Sequence, residues 1–137
     1  CVQKGGYVKV RGALEFGETA EGGGLYLVNG PGNDQIAVTN LAAAGVHMIL
    51  FTTGRGTPFG TVVPTMKIAT NTKLATDKAA WIDWDAMANP DTEAFAEKVL
   101  AVASGEPATN ERFGAKENTH AHHGTKGTEE QTAVFPP

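Results

Sequence analysis

The chain has 137 residues, 41% of them hydrophobic, which is enough to bury one core and too little for two full domains. Its formal charge of −4 and pI near 5.5 come with lysines and arginines scattered along the chain, which excludes the basic stripe of a nucleic-acid binder. No apolar run reaches the length of a membrane span, the first residues lack the pattern of a signal peptide, and the single cysteine, Cys1, excludes an internal disulfide, so a cytoplasmic setting is expected.

The chain opens at Cys1 without a methionine, within what reads as a structured segment, and a piece of a longer protein is expected. Tyr7 to Phe16 alternates apolar and polar residues as a strand does, and the glycine-rich GETAEGGG follows it. Leu25 to Val28 is a short apolar run that stops at NGPGND. Asn33 or Asp34 then caps a helix with Ile36, Val38, Leu41 and Ala42 on one broad face and Gly45 as its stop. VHMILFTT reads as a parallel strand covered on both faces, with His47 a core histidine inside it. Pro64 to Thr70 reads as another strand, Asn71 to Lys78 as a short helix, and Trp81 to Trp84 as a last short strand in which both tryptophans pack. Pro90 to Ser104 is the clearest helix, with Asn89 at the cap, Pro90 at the first helical position, a stripe of Phe95, Val99, Val102 and Ala103, and Gly105 after it.

Strands alternating with helices predict an α/β fold. The expectation is a single domain with a three-layer, mostly parallel open sheet and helices on both faces, Rossmann-like or flavodoxin-like. After Glu106 the chain turns polar, and a surface tail is expected, with TAVF adding one edge strand before Pro136 and Pro137.

In such a sheet the polar loops NGPGND, TTGRGTPFG and TNTK gather at the carboxyl edge, where α/β proteins bind ligands. Glycines there let backbone N–H groups approach an anion, and Arg55 between Gly54 and Gly56 either offers a planar fork to a carboxylate or phosphate or only ties down a neighbouring loop. Nucleotide motifs fit poorly. Gly54, Gly56 and Gly60 are spaced one residue too long for the dinucleotide fingerprint, and no Gly-Lys-Ser/Thr occurs. His120, His122 and His123 in THAHHG are a histidine-rich tract on a polar, glycine-flanked segment, where adventitious metal binding outweighs a native site.

CVQKGG, GPGND, AAAGVHMILFTTGRGTPFG, VPTMKIATNTKLA, KAAWIDW, VASGE and NER occur in this order across about residues 1–114. In that order and spacing the chain closely resembles the carboxyl-terminal part of the altronate dehydratase/galactarate dehydratase family, nearer to the altronate branch through GPGND and NER. Two departures stand out. The family's DFNAG reads here Asp83-Trp84-Asp85-Ala86-Met87, and THAHHGTKGTEE interrupts the usual ending.

The resemblance implies that residues 1–114 are the α/β carboxyl-terminal domain of a sugar-acid dehydratase and residues 115–137 a polar tail. It implies a metal-dependent lyase, with iron or manganese, that removes water from a polyhydroxy acid to leave a 2-keto-3-deoxy acid. The remaining domains of the same enzyme would be the chain's partners, with a homo-oligomer possible. No ligand cluster for the metal appears before the tail, and its ligands are expected elsewhere in the enzyme. Elimination beside a carboxylate needs a base, a cation for the enediolate and donors for the departing hydroxyl. Lys4 and Lys67 match family motif positions and stand as base or fixed positive charge, against the alternative of a surface charge or an interdomain salt bridge. Arg55, with Gly54 and Gly56, would clamp the carboxylate, and Thr52, Thr53, Asn71 and Asn33 would line the hydroxyls. Two other readings remain: a non-catalytic packing or oligomerisation module, and a related lyase acting on a sulfonated hydroxy acid.

Overall fold

The computed structural model describes residues 5–112. Lys4, the three tail histidines, the TAVF strand and the whole 115–137 segment lie outside the described residues. The chain divides into two compact units, residues 1–47 and 48–137.

In the first unit β1 (Val10–Leu14) pairs in parallel with β2 (Leu25–Val28), and α1 (Asp34–Ala43) follows. Asn33 is the N-cap, its side-chain oxygen accepting from the N–H of Ile36 at 3.1 Å, and Gly45 ends the helix with a φ of 88° that an L side chain rarely adopts. The buried side of α1 differs from the expected stripe. Ile36 is exposed, and Val38 and Asn40 are the buried pair. A buried amide is tolerated because both its ends are bonded: Asn40 Oδ1 accepts from Gly17 N at 2.7 Å and Nδ2 donates to Asn29 O at 3.0 Å. β1 is shorter than the alternation predicts, since residues 5–8 form a turn and Tyr7 stands fully in solvent.

The second unit holds a parallel sheet in the order β3 (Ile49–Thr53), β4 (Thr65–Ala69), β5 (Trp84–Asp85). α2 (Thr72–Asp77) and α3 (Thr92–Ala103) cover opposite faces. Ala69 packs with Leu74 and Ile82 on one side, while Met66 packs with Val102 and Ala108, and with Met48, Phe95 and Val99, on the other. The class expected from the sequence, α/β with parallel strands in open sheets, is the class observed.

Position in the sheet decides burial. The two-sided cover predicted for VHMILFTT belongs to the central strand β4, buried at all five positions, whereas Leu50 and Thr52 of the edge strand β3 are exposed. His47 precedes β3 in an exposed bend and is not a core histidine. The last strand begins at Trp84 because residues 78–81 close a turn, with Trp81 N donating to Lys78 O at 2.9 Å. The cap of α3 is Asp91, whose carboxylate accepts from the N–H of Glu93 and Ala94; Asn89 instead closes the turn after β5, donating to Asp85 O at 3.0 Å and accepting from Trp84 Nε1. In that turn Asp85 accepts from the N–H of Met87 and Ala88, which accommodates one of the departures from the family pattern.

The polar stretch after Glu106 is not all surface. Ala108 and Asn110 are buried and Thr109–Arg112 forms a short helix, α4. Three carboxylates anchor it: Asp83 Oδ1 accepts from Thr109 N at 2.7 Å, Glu111 from Ala108 N at 2.8 Å, and Glu106 receives both Lys98 at 2.6 Å and Arg112 at 2.7 Å. The hydrogen bond and charge of Lys98, joined by Arg112, hold the Glu106 carboxyl below the usual carboxylate range.

Candidate functional site

The run from β3 into β4 has no helix in it. Gly54, Gly56, Pro58, Gly60 and Pro64 make residues 54–64 unsuited to one, and the connection crosses the sheet as irregular backbone. Part of that backbone is buried, Phe59 and Gly60 included, so its carbonyls need donors from side chains.

Lys67 is the first donor. It sits mid-way along β4, opposite Phe51, with no solvent exposure, and its Nζ donates to Thr57 O at 2.7 Å and Phe59 O at 2.8 Å while lying 4.6 Å from the centroid of the Phe59 ring. The Phe59 ring in turn meets Phe51 edge-on, 5.2 Å between centroids. Asn110 Nδ2 also donates to Phe59 O, at 3.4 Å, and Asn110 Oδ1 is buried without a hydrogen-bond partner among the described residues. Lys78 is the second cationic donor, reaching Arg55 O at 2.6 Å and Gly56 O at 3.1 Å. Two ammonium groups therefore fasten the loop through four carbonyls.

Burial lowers the Lys67 amine from its ordinary 10.5 to about 8, and the charge of Asp83 opposes that shift. Asp83 reaches this strand through Oδ2, which accepts from Lys67 N at 2.7 Å. Between about 8 and 10.5 the unfolded chain holds a proton that the folded chain has released, so this group favours folding increasingly as pH rises through that window; below about 8 the folded state bears the full cost of a buried ammonium. An NMR titration of the lysine side chains should show one midpoint near 8, and Lys67→Met should remove it. A full set of lysines titrating at their ordinary value would refute the burial.

The residues singled out from the sequence are brought together in part. Thr52, Thr53, Gly54, Arg55, Gly56 and Asn71 collect at the carboxyl ends of β3 and β4, where Thr53 pairs with Ala69. Several of their polar groups are already committed. Thr53 Oγ1 accepts from Gly56 N at 2.9 Å and Arg55 N at 3.4 Å, while Asn71 caps α2 through Leu74 N at 2.8 Å and donates to Gly54 O at 3.1 Å. Thr52 and Arg55 are exposed, and among the described residues no carboxylate pairs with the Arg55 guanidinium. The Lys67 amine does not reach this edge with Arg55, since its protons go to Thr57 and Phe59. Asn33 lies in the first unit as the cap of α1. Lys4 is outside the described residues.

Sequence reasoning passed over Lys78, Asp83 and Asn110. Lys78 lies 22 residues beyond Gly56, and no local pattern ties a helix-end lysine to a loop that far back. Asp83 carried a faint signal as the one charge in the run AAWIDW. A depression of about 450 Å³ lined by Pro64, Val102, Gly105, Glu106, Pro107, Glu111 and Arg112 holds none of the predicted site residues and lies beside a salt-bridge knot.

Residues 1–126 match the family described as D-galactarate/Altronate dehydratase, C-terminal. The chain belongs to this family. It is 47% identical over 119 residues to an altronate dehydratase of Escherichia coli K12, covering 82% of this chain and 24% of that protein, and 46% identical over 125 residues to an altronate dehydratase of Bacillus subtilis 168, covering 85% and 25%. A galactarate dehydratase (L-threo-forming) of Escherichia coli K12 is 36% identical over 83 residues, 60% of this chain and 15% of its own length. The chain thus spans about a quarter of the altronate dehydratases it matches. Within this domain, TTGRGTPFG and PTMK read as one device: the lysine of the second motif fastens the loop of the first. NER reads as an anchor, with Asn110 on the same carbonyl and Arg112 on Glu106.

Proposed function

We propose that this chain is the carboxyl-terminal domain of a cytoplasmic hydro-lyase that dehydrates a sugar acid, altronate first and galactarate next, to a 2-keto-3-deoxy acid. The observation that carries the reading is the exposed Arg55 on a loop fixed from beneath, at the carboxyl end of a parallel sheet, in a chain of the dehydratase family. A guanidinium so placed presents two parallel donors to a planar carboxylate, and the exposed Thr52 at the end of β3 would supply a hydroxyl.

Lys67 serves this site as the fixed charge that sets the loop, not as the base. An amine whose protons already go to two carbonyls, with no exposed surface, has no path to a substrate α-proton in this conformation. Lys4 stays the lysine assigned to proton transfer or charge. The metal of the reading, iron or manganese, would stabilise the enediolate. Among the described residues no three of histidine, cysteine, aspartate and glutamate come together to hold one, and its ligands are expected outside them.

Residues 1–137 alone are expected to form no 2-keto-3-deoxy acid from altronate or galactarate with ferrous or manganous ion added, whereas the full-length enzyme turns over. Steady product from the purified fragment would overturn the assignment of metal and base to other domains. The internal bonding of Thr53 and Asn71 favours a second reading, a packing module whose loops hold shape only. The Arg55 variant separates the two.

A further inference from the structure

The second glycine of GRG has two constraints on it. Gly56 has a φ of 72°, and a Cβ placed on it would stand 2.9 Å from Lys78 Cδ and 3.0 Å from Leu74 Cδ1. The glycine supplies the left-handed turn and also leaves the space through which the Lys78 stem crosses the loop. At the end of that stem Nζ donates to the carbonyls of Arg55 and Gly56 and lies 5.3 Å from the centroid of the Trp81 ring. On the amide side of the same residues, the Thr53 hydroxyl accepts from Arg55 N and Gly56 N. The backbone that carries the Arg55 side chain is therefore gripped by an ammonium on its carbonyls and a hydroxyl on its amides. Lys67 does not reach it, holding Thr57 and Phe59 instead.

We infer that Lys78 is a positioning residue for Arg55. It holds the peptide from which the guanidinium projects and places a second positive charge on the loop, so that a carboxylate meets a preset fork instead of ordering one. The inference rests on the reading of Arg55 as the carboxylate clamp. Lys78 is assigned no contact with the substrate, since two of its three donors are turned to carbonyls of the loop.

The test uses the full-length enzyme with altronate as the probe, in five forms: unaltered, Arg55→Ala, Lys78→Met, the double variant of these two, and Lys78→Arg. Methionine keeps the bulk of the stem and removes the ammonium. Lys78→Met should raise KM about five- to tenfold with kcat within about twofold, and in the Arg55→Ala background it should add almost nothing, because a residue that acts only through Arg55 has nothing left to position. Lys78→Arg, which keeps the charge, should recover part of the loss. An unchanged KM for Lys78→Met beside a raised KM for Arg55→Ala would overturn the positioning role and leave the clamp standing. Equal, additive effects of Lys78→Met in both backgrounds would also overturn it. An Arg55→Ala enzyme with normal kcat/KM would sink the clamp and this inference with it. Should Lys78→Met lose activity only in proportion to its folded fraction, Lys78→Arg showing the same pattern makes the lysine a support of the fold and rejects the inference.

Discussion

Arg55→Ala in the full-length enzyme should lower kcat/KM for altronate on the order of ten- to a hundredfold while the melting temperature moves by less than about 2 °C. The asymmetry follows from the surroundings of the side chain. Arg55 is exposed and forms no ion pair among the described residues, so folding gains little from its guanidinium. Its backbone is held by Thr53 and Lys78, and these bonds survive truncation to alanine. What is removed is a charge-assisted contact to a bound carboxylate, worth about 1.5–3 kcal/mol. A loop-fastening arginine gives the reverse pattern, lower stability with normal activity per folded molecule. Measuring both quantities on one variant thus tests the packing-module reading as well.

Asp83→Ala should have the largest effect on stability. The carboxylate bridges Lys67 N in the central strand and Thr109 N at the start of α4, each at 2.7 Å, and so joins sheet to terminal helix. Losing two charged acceptors leaves two backbone donors short of partners and should cost on the order of 3–5 kcal/mol, a fall in melting temperature of more than about 10 °C for residues 1–137. A second readout is specific to this arrangement. The charge of Asp83 raises the Lys67 pKa against the effect of burial, so in the variant the lysine should titrate below about 8. A variant that melts like the parent, or leaves the Lys67 midpoint in place, would show that Asp83 does not bridge these elements in solution.

Elements bounded by their own short-range chemistry were legible in the sequence. Asn33, one of the two residues read as the cap of α1, caps it, Gly45 and Gly105 follow the helix ends with positive φ, and Leu25–Val28 is a strand with the bounds read for it. Helix caps and glycine stops act over three or four residues, so their signal is local. The junction from apolar strand into TTGRG was legible in the same way, because an apolar run and a glycine-rich turn are both properties of adjacent residues. Family membership was legible too, carried by motifs that stand in order along residues 1–114.

Three things required the tertiary structure. TMKIA alternates as a half-exposed strand would, yet all five residues are buried, because β4 lies between β3 and β5 and the 54–64 connection supplies carbonyls that let a lysine go inside. Asn89 and Asp91 are equally good caps by type, and the choice fell to Asp91 once Asn89 was drawn to the turn after β5. The polar ATNER segment packs inward because a carboxylate far from it in sequence, Asp83, accepts the N–H of Thr109. The sequence by itself determined the α/β class, the family and the loop that presents Arg55. Only the tertiary structure decided that Lys67 and Lys78 belong to the loop's support, since hydrogen bonds spanning 8 to 23 residues are set by where the strands lie and leave no period in the chain.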